Sequence, residues 1–139
     1  MAVKFDPILG KLREEDSDTD VESFIVAASD ETTALTTGTK VTFRMPYAFT
    51  LKSVKASVTT APTSADLIVD IDNSGSSIFT TNLLIIDDGD TTSVGSGTTP
   101  NITNGILAAD AVIVIDITQI GSGTAGAGLK VALIGHQTV

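Results

Sequence analysis

The sequence predicts an all-β fold: an antiparallel β-sandwich, a jelly roll of about eight strands, preceded by an extended N-terminal arm. Three observations carry that prediction. Apolar and polar residues alternate over short stretches, most clearly where Val41, Phe43 and Met45 interleave with Thr42 and Arg44, the period of a strand with one buried face. Clusters of Gly, Pro, Ser and Asn punctuate these stretches at the spacing of a small all-β domain. The composition is heavy in Thr, Ser, Val, Ile and Gly, which suit strands and turns better than helices, and no long stretch carries helical spacing.

Residues 1–22 read differently from the rest. Val3, Phe5, Ile8, Leu9 and Leu12 are scattered around two turn residues, Pro7 and Gly10, and a run of acids comes next: Glu14, Glu15, Asp16, Asp18, Asp20 and Glu22. Residues 11–16 have the composition for one helical turn, but too little lies beyond it to stabilise it. The segment is expected to be an arm with an apolar tip and a self-repelling, solvated spacer. The five apolar residues are its candidate anchoring contacts, since a free tail gives them no reason to cluster.

Residues 23–139 are expected to form the sandwich. The first strand falls at 23–28, followed by a polar connection, then by strands at 39–45 and 49–60. Pro46 ends the first of these because it has no N–H for a ladder. Leu51 is out of phase with Val54, Ala56 and Val58, which predicts a bulge or bend between them. A strand at 66–72 runs into the turn NSGSS. Residues 77–79 and 82–87 form one interrupted strand or two short ones. The Gly/Ser/Thr-rich stretch 88–109 is long for a loop and is expected to hold a short strand near 91–94. Strands at 111–117 and 129–134 finish the fold, joined by GSGTAGAG.

In AVIVIDI, Ile113, Ile115 and Ile117 share one face, yet the opposite face carries Val112 and Val114 where polar residues belong. Either a loop of the same chain covers them or another subunit does, and these two residues are the candidate subunit interface.

Several motifs suggest chemistry and fail on context. GSGTAG matches G-x-G-x-x-G, but Leu129, Val131 and Leu133 then alternate as a strand, where a dinucleotide site needs a helix. It is read as a flexible strand connection. Asp16, Asp18 and Asp20 space like an EF-hand opening, but Val21 and Ala27 stand where Gly and Glu belong. Asp70, Asp72 and Asn73, and also Asp87, Asp88 and Asp90, could bridge a calcium ion, though carboxylates at strand ends more often cap turns. His136 is the only histidine and cysteine is absent, so multi-His and thiolate sites are excluded. No catalytic residue and no cofactor is expected. Tyr47 is the one aromatic candidate for a sugar platform, and packing at the Pro46 corner is the simpler role.

The formal charge of −9 opposes binding to a phosphate backbone, so nucleic acid is not an expected partner. No stretch approaches the roughly 20 apolar residues of a membrane helix, and no apolar run precedes a cleavage site near residue 1.

The leading segment MAVKFDPILGKLR resembles the docking segments at the start of bacteriophage virion accessory proteins. The body, TKVTFRMPYAFTLKSVKASVTTAPTSADLIVDIDNSGSSIF through AGAGLKVALIG, is similar to a β-sandwich module of phage structural proteins. The resemblance implies a virion location, assembly in the host cytoplasm and a homotrimeric module. An arm of about 20 residues reaches at most ~70 Å, which suits a head decoration, or cement, protein contacting the major capsid protein. The alternative is a tail or fibre-tip adhesin for a host surface polysaccharide, although no shaft or coiled-coil segment stands between arm and module.

Overall fold

The computed structural model describes residues 2–6, 11–15 and 21–138, the first two stretches by their backbone. Those two stretches are strands β1 (Ala2–Asp6) and β2 (Lys11–Glu15), paired antiparallel in a sheet of their own. The body holds β3 (Glu22–Ala27), β4 (Gly38–Arg44), β5 (Phe49–Ser57), β6 (Leu67–Asn73), β7 (Ser76–Ser77), β8 (Leu84–Ile86), β9 (Ile106–Leu107), β10 (Val112–Gln119) and β11 (Lys130–Gln137).

These nine strands make an antiparallel β-sandwich, as the alternation of apolar residues predicts. One sheet runs β4-β10-β6-β7, with β8 beside β7 on the same edge of β6, and the other runs β3-β11-β5-β9. The chain crosses between the sheets at nearly every step, so each strand's inward face meets residues from the opposite sheet. Phe49, Val54, Leu107, Val131 and Leu133 line one inner face; Leu67, Val69, Ile71, Leu84, Ile113, Ile115 and Ile117 line the other. Among the described residues, every buried side chain of the core is apolar. Most of the stability comes from this burial, at about 25 cal/mol per Å² of apolar surface.

Local features reflect the residues beneath them. The predicted bulge is present: β11 pairs Ile134 with Ser53 and the next residue, Gly135, with Leu51, leaving Lys52 as the extra residue. Without that residue, Phe49 and Leu51 would face outward instead of into the core. The NSGSS turn is also as expected. Ser74 and Gly75 both take positive φ, 52° and 93°, the twist a two-residue hairpin between β6 and β7 requires. Near residue 92 the expected strand is reduced to one bridge, Ser57 with Thr92, flanked by bonds from Val58 to Thr91 and from Ser93 to Ala56.

Candidate functional site

Three regions are candidate sites, two of them singled out by the sequence. The first is the arm. Pairing sets Phe5 opposite Leu12 and Val3 opposite Glu14, while Ile8 and Leu9 lie outside the described residues. The helical turn that residues 11–16 were too short to sustain is replaced by strand pairing, and residues 16–20 of the acidic spacer lie outside the described residues. A lone helical turn fixes several residues for one hydrogen bond, whereas pairing β1 with β2 gives two backbones a shared ladder.

The second surface is the outer face of the β4-β10-β6 sheet. Val112 and Val114 sit there half-buried, Val112 opposite Arg44 and Val114 between Thr42 and Asp72. The Arg44 guanidinium is paired with Asp110, 3.3 Å away. One row further along, Asp116 stands opposite Asp70. Partial burial pushes the Asp72 carboxyl up from its ordinary range, and the charges of Asp70 and Asp116 add to that. The two valines are therefore a small apolar strip bordered by carboxylates.

The other acids act as loop fasteners. Asp87 accepts from the Ser96 hydroxyl and the Gly97 amide, Asp88 accepts from the Ser64 amide, and Asp66 accepts from the Asp88 amide. Among the described residues no group of three or more His, Asp or Glu side chains has an arrangement that could hold a metal ion.

GSGTAGAG is a strand connection, as expected, but it is pinned rather than loose. Thr59 and Thr60 both donate to the Ala127 carbonyl, Gly123 donates to Thr63, and Leu35 donates to Gly126. A Cβ on Gly121 would stand 2.0 Å from the Thr124 carbonyl oxygen, and one on Gly128 2.3 Å from Thr59 Oγ1. These glycines permit close backbone approach, and no phosphate cradle results.

Tyr47 packs its ring against Phe24, centroids 6.0 Å apart, and partial burial, with the Glu22 carboxylate nearby, raises the pKa of its hydroxyl. Phe24 in turn meets Phe49 edge-on at 5.1 Å. No aromatic side chain among those described is exposed. His136 lies half-buried on β11, its Nδ1 3.2 Å from the Gln137 carbonyl.

The third surface is not anticipated by the sequence reading. On the outer face of the β3-β11-β5 sheet, Ile25 is 73% exposed and Val94 60%. Together with Ala132 and the stems of Lys55 and Lys130 they line a shallow groove of about 300 Å³. At the far end of the same face Ile106, opposite Thr50, is 72% exposed. The signal lies in SFIVAA, where Phe24, Ile25 and Val26 run without polar alternation and so leave an apolar residue on each face.

Comparison with protein-family models, with curated proteins and with solved structures finds no match to this chain.

Proposed function

We propose that the protein is a structural component of a bacteriophage virion, a capsid decoration (cement) protein that binds the assembled head through residues 1–20. Its partner is the major capsid protein or a neighbouring shell component, and assembly takes place in the host cytoplasm. The sandwich forms a homotrimer through the strip at Val112 and Val114. No catalytic step, cofactor, nucleic acid or membrane enters this role.

The observation that supports it most is the division of backbone pairing. Among the described residues, strands β1 and β2 pair as a sheet of their own, and every strand of the sandwich has its ladder partners without them. An anchor on such a plan can engage a shell without opening the domain that carries it. The resemblance of the leading segment to phage docking segments points the same way. The mechanism is linkage: a ligand that binds only the assembled shell lowers the free energy of that state by RT ln(1 + [L]/Kd). The adhesin reading has less support, because Tyr47 is engaged with Phe24 and Glu22.

The test uses shells stripped of the protein. Deleting residues 1–20 should leave a cooperative thermal transition and abolish decoration of the shells. Decoration by the truncated chain would end the anchor reading. Separately, Val114→Asp should lower the sedimenting mass if the strip is the trimer contact, and an unchanged mass would remove it.

A further inference from the structure

The sandwich has four sheet edges, and three of them are blunted. β9 is two residues long, and the edge beyond β6 is met only by the short strands β7 and β8. β4 carries Lys40 and Arg44, and its ladder with β10 breaks register at Ile115 and Asp116. Short strands, cationic side chains and bulges are the usual means of preventing edge-to-edge association. β3 has none of them. Glu22–Ala27 is a regular six-residue strand with no register shift against β11, no Pro and no Lys, and no described strand lies on its other side.

The direction of its free backbone groups can be read from the ladder. The Ala28 amide donates to the Leu129 carbonyl at 2.9 Å. With the alternation of an antiparallel pair, Phe24 and Val26 then bond toward β11. Ser23, Ile25 and Ala27 point their N–H and C=O groups out of the open edge.

We infer that β3 is a docking edge for a second copy of this chain, two β3 strands pairing antiparallel about a two-fold axis at Ile25. The strand is self-complementary in that register. Ile25 meets the second copy's Ile25, and Ser23 meets its Ala27, so all three outward-bonding residues of the strand find partners in about six backbone hydrogen bonds. On the outer face, the row across the junction reads Lys55, Ala132, Ile25, then the second copy's Ile25, Ala132 and Lys55. That row closes over the apolar groove and sets its lysines well apart. On the inner face Leu133 and Phe24 lead to the second copy's Val26 and Val131. Phe24 and Val26 face the core yet are only half-buried, and this pairing completes their cover. Glu22 comes opposite Ala28, so no like charges meet within the strand pair. Such a contact is isologous and closed. It uses a different sheet from Val112 and Val114, so it does not depend on the trimer or on the arm.

The chain has no cysteine, which makes the register directly testable in the full-length protein. In a hydrogen-bonded antiparallel pair the two Cα atoms lie about 5.5 Å apart, within disulfide reach. Ile25→Cys should therefore cross-link to a covalent dimer on mild oxidation, and the double variant Ser23→Cys with Ala27→Cys should do so as well. Ser23→Cys alone should not, since its two copies stand several residues apart across the axis. Unmodified protein should sediment as an even multiple of the 14.3 kDa chain, and Ile25→Lys should halve that mass with the melting transition retained. Failure of Ile25→Cys to cross-link, equal cross-linking of Ser23→Cys, or a monomer or trimer mass unmoved by Ile25→Lys would each overturn the inference. An edge that instead takes an extended segment of another protein would leave the isolated chain monomeric, and so falls among these negative results.

Discussion

Asp116 of β10 stands directly opposite Asp70 of β6, with Asp72 two residues along β6 on the same face. Like charges across a ladder oppose folding. In the folded chain partial burial, with the charges of Asp70 and Asp116 added, lets Asp72 hold its proton to a higher pH than the ordinary 3.8. The native state thus binds more protons than the unfolded chain just above that value, and stability falls as pH rises through the window. Asp72→Asn should raise stability at pH 7 by about 0.5 kcal/mol, the scale of a cross-strand pair, and give no gain at pH 3. Urea midpoints at the two pH values measure this, and an equal gain at both would show that charge is not the cause.

Glu31 shows the opposite sign. Lys130 and the Thr59 hydroxyl both bond its carboxylate, fastening the 29–33 loop to β11 and to the end of β5, and they hold its pKa below the ordinary 4.5. The stabilisation is therefore present above that value and is lost as pH falls through the depressed one. Glu31→Gln should lower the melting temperature at pH 7 and become indistinguishable from the parent near pH 2. A loss that persists in acid would assign the effect to packing.

Along β10, neighbouring residues should differ sharply in what truncation costs. Ile115 is fully buried between the sheets, and Ile115→Ala should cost about 2–5 kcal/mol from lost burial and the cavity left behind. Val114, half-exposed on the other face, should lose less than about 1 kcal/mol on Val114→Ala when measured on dilute, unassociated protein. Chemical denaturation of the two variants gives both values, and a reversed order would mean the strand is flipped.

Gly121 admits no side chain. Its Cβ would meet the Thr124 carbonyl oxygen at 2.0 Å and the Thr63 amide nitrogen at 2.7 Å, both rigid backbone. Gly121→Ala should destabilise by about 1–3 kcal/mol, the range for overpacking. Gly97→Ala, with open space around it, should change little. Paired thermal melts compare them, and equal behaviour would mean that Gly121 is not confined by the 63 and 124 backbone.

Strand positions were legible wherever a period of two ran for several residues. Leu67, Val69 and Ile71 announce β6, and the phase slip between Leu51 and Val54 announces the bulge at Lys52. The two short strands expected at 77–79 and 82–87 are present as β7 and β8, but β9 was not legible, because two residues carry no period and this strand exists only through pairing with Phe49 and Thr50. The hairpin at β1 and β2 was hidden for a related reason: its ladder is a relation between two segments, neither of which alternates cleanly. The candidate interface residues show the same limit. Val112 and Val114 break the alternation just as Ile25 does, but only topology puts the valines on a central strand with carboxylate neighbours and Ile25 on an unguarded edge. The glycine connection misled because composition says what a backbone can do, whereas the 59–63 segment brought beside it decides what it does.

The place of β11 has a consequence for synthesis. It lies between β3 and β5, the first and third strands of the body, and is itself the last to be made. At about 5–20 residues per second, β5 waits several seconds after leaving the ribosome for the strand that will bind its inner edge. A nascent chain without β11 therefore presents two open ladders, SFIVA and LKSVKAS, to chaperones, to proteases and to its own copies on the same message. The closing strand acts as a keystone: β3 joins its sheet only when β11 arrives, and chains that terminate before it leave β3 with no native partner strand.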